Sequence, residues 1–378
     1  MSFGLYIHVP FCASRCGYCD FNTYTPGELG SSSSPESYLD ALERELELVA
    51  ACPDTRPATT VFIGGGTPSM LGADGLSRIL RAAKNTIGIA PGAEVTTESN
   101  PESTSPEFFE ALLNAGYTRI SLGMQSTASH VLRILERRHT PGRALQAAHW
   151  AQNAGFQHLN LDMIYGTPGE SDEDLARTLE DVLSTPVDHV SAYSLIVEDG
   201  TAMARRVRRG ELPAPDEDIL AHRYTMIDSA LSSAGFDWYE VSNWARPGGE
   251  CLHNLGYWHD HDWWGAGPGA HSHIGDTRFW NHKHPATYSR ILAENTLPIK
   301  DSETLTPTDR HTEKLMLGLR LKEGIPEEWI SPAAAPVLED FASRDRLERK
   351  DGRVRVTKAG RLLADGIISA ILLAEETA

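Results

Sequence analysis

Three closely spaced cysteines constrain this chain more than any other feature of its sequence. Cys12, Cys16 and Cys19 follow a short apolar stretch and form a C-x3-C-x2-C array. Thiolate sulfur is a soft ligand, so clustered cysteines indicate zinc or iron–sulfur ligation. A closed zinc site needs four ligands, and an ordinary 4Fe–4S site needs four cysteines. The array therefore predicts a 4Fe–4S cluster with one iron left without a protein ligand.

A zinc site is the alternative that this spacing leaves open. His8 could complete a Cys3His set, although the ligands of structural zinc sites usually come as two separated pairs. The remaining cysteines, Cys52 and Cys251, are remote along the chain. Spacing places neither of them as a fourth ligand.

Composition excludes several classes of partner. The chain has 378 residues, with 34 basic and 52 acidic side chains and a net charge of -18. This acidic balance argues against nucleic acid as a binding partner and against a polybasic membrane contact. No apolar run is long enough to span a bilayer, and residues 1–10 lack the pattern of a signal peptide. We therefore expect a cytoplasmic protein without an integral membrane segment.

The first 200 residues repeat one theme, a short apolar strand followed by an amphipathic helix. The predicted strands are Leu5–Val9, Thr60–Ile63, Glu94–Glu98, Arg119–Gly123, Leu159–Tyr165 and His189–Val197. Helical patterns begin after the N-cap Ser34 and run near 73–88, 106–115, 141–154 and 171–184. This alternation predicts an α/β fold with a parallel sheet, curled into a full or partial barrel. In such a sheet the chemistry lies at the C-terminal ends of the strands.

The cysteine array resembles the signature of the radical S-adenosylmethionine (SAM) superfamily. That resemblance implies a cluster whose open iron binds the amino and carboxylate groups of SAM. Polar residues at the ends of successive predicted strands suit a cationic ligand of this kind. They include Gly64-Gly65-Gly66-Thr67-Pro68, whose N–H groups could face an anion, although a tight strand-to-helix turn explains this stretch equally well.

Six motifs narrow the resemblance. YIHVPFC, GGGTPS, ESNP, GYTRISLGMQS, DMIYGTPGE and YEVSNWA occur in this order and resemble the oxygen-independent coproporphyrinogen III oxidase-like family of radical SAM proteins. The resemblance implies a partial (β/α)6 barrel with Cys12, Cys16 and Cys19 as cluster ligands. It places around one or two SAM molecules the residues Tyr6, Tyr18, Gly65, Gly66, Thr67, Glu98, Gln125, Arg137 and Asp162.

Two departures favour one branch of that family, the HemW-type haem chaperones. The oxidases carry a fourth cysteine where this chain has Phe21, and they carry a long arm where only five residues precede Tyr6. His253-Asn254-x-x-Tyr257-Trp258 matches the H-N-x-x-Y-W motif of the chaperone branch, which nominates His253 for haem binding. The nearby histidines stay unassigned, because a solvated polar loop or an adventitious metal site explains them better: His259, His261, His271 and His273.

The chain divides into three predicted parts. Residues 1–235 form the radical SAM core, 236–301 a connecting segment with the haem-associated motif, and 302–378 a small winged-helix-like domain. In the last part Asp351-Gly352 is a strong hairpin signal, and a closing helix is expected over Lys358–Leu373. By resemblance this domain is a lid or docking domain.

Three functions follow from the resemblance. The first is a chaperone that carries a 4Fe–4S cluster, binds SAM and haem, and delivers haem to haem-requiring respiratory proteins; a homodimer is left open. The alternative is an anaerobic coproporphyrinogen III oxidase using radical SAM chemistry. The third is a radical SAM methyltransferase that opens the haem ring. Phe21, the missing arm and the His253 motif favour the chaperone.

Overall fold

The computed structural model describes residues 2–30, 33–137 and 140–376. Its strands are β1 (Phe3–Val9), β2 (Ala58–Gly65), β3 (Ile89–Ser99), β4 (Arg119–Gln125), β5 (His158–Tyr165), β6 (His189–Ser194), β7 (Asp237–Glu240), β8 (Asn243–Ala245), β9 (Asp262–Ala266), β10 (His271–Ile274), β11 (Thr277–Asn281), β12 (Ile299–Thr304), β13 (Ile325–Pro326), β14 (Leu347–Lys350) and β15 (Arg353–Val356).

The α-helices alternate with these strands through the first half of the chain. They are α1 (Pro26–Leu29), α2 (Pro35–Ala50), α3 (Gly72–Asn85), α4 (Pro106–Ala115), α5 (Ser129–Ile134), α6 (Arg143–Ala154), α7 (Asp172–Leu183), α8 (Ala202–Arg208), α9 (Glu217–Ser233), α10 (Leu252–Trp258), α11 (Pro285–Ala293), α12 (Pro307–Gly318), α13 (Ala335–Ser343) and α14 (Ala364–Glu376).

Strands β1 to β6 lie side by side and parallel, in chain order. Each predicted strand is present, which confirms the α/β alternation. Alternate residues of these strands form a buried apolar face: Leu5 and Ile7 pair in register with Val61 and Ile63, and all four are fully buried. The strands deliver their C-terminal ends, with the cluster loop after β1, to the same edge of the sheet.

The sheet is wider than the sequence predicted, because residues after 236 extend both of its edges. Strand β9 pairs parallel to β1, and β10, β11 and β12 continue antiparallel. At the other edge β8 pairs antiparallel with β6, followed by β7. The twelve strands end at β12 and β7 without closing on themselves. The sheet is therefore open, as a partial barrel requires.

Helix α2 shows how the local sequence sets the packing. The side chain of Ser34 accepts a hydrogen bond from the backbone N–H of Ser37, and Pro35 occupies the first turn. The helix buries Leu39, Leu42, Leu46 and Val49 against the sheet, as their three- and four-residue spacing predicts. Burial of each such side chain contributes about 1.5–3 kcal/mol.

The C-terminal unit has its own core and a three-stranded sheet in the order β13-β15-β14. Asp351 and Gly352 both have positive φ angles, 54° and 72°, and join β14 to β15. This confirms the hairpin prediction. The last helix begins at Ala364 rather than Lys358, because residues 361–363 form a 3-10 turn first.

Two basic side chains attach this unit to α9, and one of them also contacts the sheet extension. Lys358 and Arg361 both contact the buried carboxylate of Asp228, at 2.6 and 3.0 Å. The guanidinium of Arg361 also lies 3.9 Å from the ring centroid of Trp238.

Within the described part of the chain, no helix combines the length and apolar composition needed to cross a membrane.

Candidate functional site

The cluster loop leaves the end of β1 and is fixed at several backbone positions. Cys12 N–H donates to the carbonyl of Tyr24 at 3.0 Å, and Gly17 N–H donates to the carbonyl of Leu135 at 3.1 Å. All three array cysteines are free thiols, with Cys12 buried and the other two half-buried. The loop is therefore an ordered scaffold that presents three sulfurs at the C-terminal edge of the sheet.

Hydrogen-bond donors face two of these sulfurs. The Thr67 hydroxyl donates to Cys12 Sγ at 3.7 Å, and Arg137 Nη1 donates to Cys16 Sγ at 3.6 Å. Burial raises the pKa of the Cys12 thiol, and the neighbouring Cys16 adds to that rise. Donors of this kind stabilise negative charge on sulfur, which a ligated cluster carries.

The arrangement fits a cluster better than a single zinc ion. Among the described residues no three His, Cys, Asp or Glu side chains converge on one metal position. A 4Fe–4S cluster does not need such convergence, because each cysteine binds a different iron. His8 has no nitrogen free for zinc, since Nδ1 is 3.0 Å from the Tyr6 hydroxyl and Nε2 is 2.8 Å from the Asn22 carbonyl oxygen.

The glycine-rich turn after β2 has a structural role that the anion hypothesis did not anticipate. The N–H groups of Gly65, Gly66 and Thr67 donate to Glu98 Oε2, the Val9 carbonyl and the Phe11 carbonyl. They are therefore engaged within the protein and are not available to an anionic group of a ligand. A Cβ on Gly66 would lie 2.5 Å from the Phe11 carbonyl oxygen. Glycine is required because the turn packs directly against the cluster loop.

Two half-buried carboxyl groups project from neighbouring regions of the sheet, at the end of β3 and within β5. Burial raises the pKa of Glu98 to about 8, and the charge of Asp162 adds to this. Burial also raises the pKa of Asp162, although the Asn160 amide and the Ser121 hydroxyl donate to it at 2.7 and 3.1 Å. A cation bound here would favour the ionised form of both groups.

Of the nine residues that the resemblance assigned to SAM, six interact with one another in the structure: Tyr6, Tyr18, Gly65, Glu98, Arg137 and Asp162. Tyr6 and Tyr18 are half-buried, and the pKa of Tyr6 is raised by loss of solvent around its hydroxyl and then by Glu98. Arg137 donates to the Gly123 carbonyl at 2.8 Å and interacts electrostatically with both carboxyl groups. The SAM assignments themselves stay predictions.

Gln125 carries a separate indication of ligand binding. Its φ angle of 68° is uncommon for a residue other than glycine. Its side-chain Oε1 is buried and has no hydrogen-bond partner among the described residues. A buried polar atom without a partner is costly, and a ligand that donates to this oxygen would remove that cost. The excess of half-buried acidic groups and this acceptor fit SAM, which is a cation with hydrogen-bond donors.

The predicted haem residue His253 occupies a different environment from that expected of an iron ligand. It is 2% exposed and lies on α10. Its Nδ1 is 2.8 Å from the Thr60 hydroxyl, and its Nε2 is 2.9 Å from the Tyr257 hydroxyl. The ring stacks on Phe62 at a centroid distance of 5.3 Å, and burial lowers its pKa to about 3. In this arrangement neither nitrogen is free for iron.

Glu94 and Arg119 hold α10 in place, and the sequence analysis missed both. Glu94 accepts hydrogen bonds from the backbone N–H groups of Leu252 and His253 at 3.1 and 2.9 Å. Arg119 donates to the same carboxylate at 3.1 Å, and both side chains are buried. The sequence did offer a signal for this contact, since both charged residues stand at the N-terminal side of otherwise apolar predicted strands. This contact holds α10 below Tyr6 and Glu98, and we call α10 the floor of the site.

Comparison with known proteins identifies the family. Residues 6–182 match the model of the radical SAM superfamily, and residues 305–363 match the HemN C-terminal domain. The chain is 56% identical over 370 residues to the heme chaperone HemW of Mycobacterium tuberculosis, covering 98% of this chain and 95% of that protein. The chain belongs to the HemW family. HemW of Bacillus subtilis is 32% identical over 97% of this chain and 98% of its own length.

A solved structure agrees with the fold. Coproporphyrinogen III oxidase (HemN) from Escherichia coli matches with a TM-score of 0.84, at 24% identity, over 98% of this chain and 90% of that one. Membership of the HemW family confirms the recognition of the chaperone branch from Phe21 and the H-N-x-x-Y-W motif. Radical SAM membership also implies a 4Fe–4S cluster and SAM binding.

Proposed function

We propose that this protein binds haem and delivers it to haem-requiring proteins, with respiratory haem enzymes as the acceptors. The observation that carries the proposal is the full-length similarity to proteins named heme chaperone HemW, at 56% identity for the mycobacterial relative. The oxidase alternative is less well supported, because Phe21 stands where the oxidases have a fourth cysteine. Its side chain is 64% exposed and supplies no sulfur.

The main residues of the proposed cluster and SAM site can each be given a role. When bound, the cluster and SAM supply one-electron chemistry at the sulfonium. Cys12, Cys16 and Cys19 would hold the cluster, while Thr67 and Arg137 donate to two of the sulfurs. Glu98 and Asp162, both half-buried, would bind the cationic ligand. Tyr6 and Tyr18, both half-buried, would close the site on the side of the cluster loop.

The three predicted parts of the chain fit this assignment. We propose residues 1–235 as the cluster and SAM domain, 236–301 as the segment that supplies its floor through α10, and 302–378 as the domain that meets haem or its acceptor. A cytoplasmic location and a homodimer stay predictions from the sequence.

Two assays on protein with a reconstituted cluster test the proposed function. The first is an anaerobic absorbance titration with haem, which should saturate near one haem per chain. The second is incubation with coproporphyrinogen III, SAM and a reductant, which should yield no protoporphyrinogen. Robust decarboxylation, or haem binding that never saturates, would overturn the proposal. Apoprotein without the cluster is the control that separates haem binding from cluster absorbance.

A further inference from the structure

A cavity separate from the cluster loop lies where the C-terminal unit meets the extended sheet; we call it the interface cavity. Its volume is about 490 Å³, within the range of small-molecule sites, which are frequent at domain interfaces. It is lined by Asp276, Pro307, Arg310, His311, Lys314 and Trp329. The sequence analysis assigned no function to any of these residues.

One wall of the interface cavity is fixed to the sheet. Arg310 makes a two-pronged contact with the carboxylate of Asp260, with both N–O distances at 2.8 Å. Its Nη1 is also 2.8 Å from Nε2 of His273 on β10. Asp260 is almost fully buried. Because Arg310 belongs to α12, this contact joins the two sides of the cavity and holds its shape before a ligand arrives.

His311 has the environment that His253 lacks. Its Nε2 donates to Glu375 Oε2 at 2.7 Å, and the side chain of His311 is 40% exposed. Glu375 is 10% exposed, and its other oxygen accepts from the Ser331 N–H at 2.6 Å. A proton on Nε2 leaves a lone pair on Nδ1, for which the described residues provide no hydrogen-bond partner. Metal-ligating histidines commonly have a carboxylate on the second nitrogen in this way.

The same cavity offers a flat aromatic face and a cation. Trp329 is 39% exposed, so part of its indole ring is open to solvent. The Nζ atom of Lys314 lies 5.6 Å from the centroid of this ring. No carboxylate among the described residues lies within 4 Å of Lys314. Its charge is therefore available to an anionic group at the edge of a ligand that stacks on Trp329.

We propose that the interface cavity is the haem-binding site, with Nδ1 of His311 donating its lone pair to the iron. Trp329 contacts the porphyrin plane, and Lys314 pairs with a propionate. Haem combines a planar apolar ring, carboxylates at one edge and an iron that accepts imidazole, and the cavity supplies a partner for each. This inference rests on the proposed function, since it assigns the place where the proposed cargo binds.

The test uses the full-length protein with its cluster reconstituted. Haem and metal-free protoporphyrin IX are titrated separately into the unmodified protein and into His311→Ala, Trp329→Ala and Lys314→Gln. His222→Ala is the matched control for the histidine, because His222 is also exposed and pairs with a carboxylate, Asp172, at 3.1 Å. Circular dichroism confirms that each variant is folded before its titration is compared.

Each ligand contact predicts a different result. His311→Ala should weaken haem binding at least tenfold and change its Soret absorbance, but leave protoporphyrin IX binding within about twofold, because only haem has iron. Trp329→Ala should weaken both ligands by up to about tenfold, since each loses the stacked ring. Lys314→Gln should weaken both about twofold to fivefold, as expected for an exposed ion pair. His222→Ala should match the unmodified protein.

Two outcomes would overturn the inference, and they can be told apart. Saturable haem binding that none of the three cavity substitutions affects would move haem to another site and leave the proposed function intact. An unmodified protein with no saturable haem binding would remove the proposed function together with its site.

Discussion

Replacement of His253 by alanine separates two roles for the H-N-x-x-Y-W motif. The structure makes His253 part of the buried floor under the proposed SAM site, whereas the family resemblance nominates it for haem binding. A floor residue should affect folding stability first, and a ligand should affect haem binding first. The two effects are measured independently.

The expected loss of stability follows from the contacts of the ring. Removing a buried aromatic side chain costs about 3–5 kcal/mol through lost burial and the cavity that remains. The substitution also leaves the buried Thr60 hydroxyl without its 2.8 Å contact, which adds about 1–3 kcal/mol. The Tyr257 hydroxyl loses a partner as well, but it can reach solvent because Tyr257 is only half-buried. We expect His253→Ala to lose about 4–8 kcal/mol, a large part of a typical folding free energy.

The assay is urea unfolding of the cluster-free protein, followed by circular dichroism, beside the haem titration on folded protein at low temperature. His222→Ala is the control, and as an exposed substitution it should change stability by no more than about 0.5 kcal/mol. A His253→Ala protein of unchanged stability that no longer binds haem would refute the floor assignment and support iron ligation by His253.

Three further predictions concern the cluster and SAM site. Cys16→Ala should abolish cluster absorbance after reconstitution, while the protein folds and Cys52→Ala, a thiol outside the array, retains the cluster; a Cys16→Ala protein that fails to fold would contradict this. Because Glu98 is protonated below its pKa of about 8 and a cation favours its ionised form, SAM binding at pH 7 should release protons and tighten as the pH rises toward 9. Calorimetry in buffers of different ionisation enthalpy measures that release, which Glu98→Gln should reduce; equal release in both proteins would count against Glu98. Glu94→Ala should lose about 3–5 kcal/mol in urea unfolding, because it leaves the buried Arg119 charge unpaired, and a loss below 1 kcal/mol would show that the helix floor does not depend on this ion pair.

Local patterns were enough to predict the first half of the fold. The buried pattern of β1 to β6 and the cap at Ser34 depend on residues close together in sequence. The pairing of β9 with β1 could not be predicted in that way, because Phe3 and Asp262 meet only in the folded sheet. No periodicity in residues 262–266 distinguishes a parallel partner of β1 from an isolated strand.

In the candidate site too, features set by local sequence were predictable and features set by long-range contacts were not. The cysteine array and the strand-end carboxyl groups were recognisable from spacing and resemblance. The position of His253 was not, since its burial depends on Glu94, which is 159 residues earlier and caps α10. The glycine turn was ambiguous because the sequence does not reveal which carbonyl groups its N–H groups meet.

The pairing of β1 with both β2 and β9 also bears on how the protein is made. The cluster loop is synthesised early, yet its support comes late: Asn22 Nδ2 donates to the carbonyl of Pro268, 246 residues further along, at 3.0 Å. A ribosome adds roughly 5–20 residues per second, so this interval lasts roughly 12–50 s. During that time the three cysteines are outside the ribosome without their final support. Cluster insertion into the finished site therefore follows the synthesis of nearly three quarters of the chain, and an oxidant encountered earlier meets thiols that the fold does not yet shield.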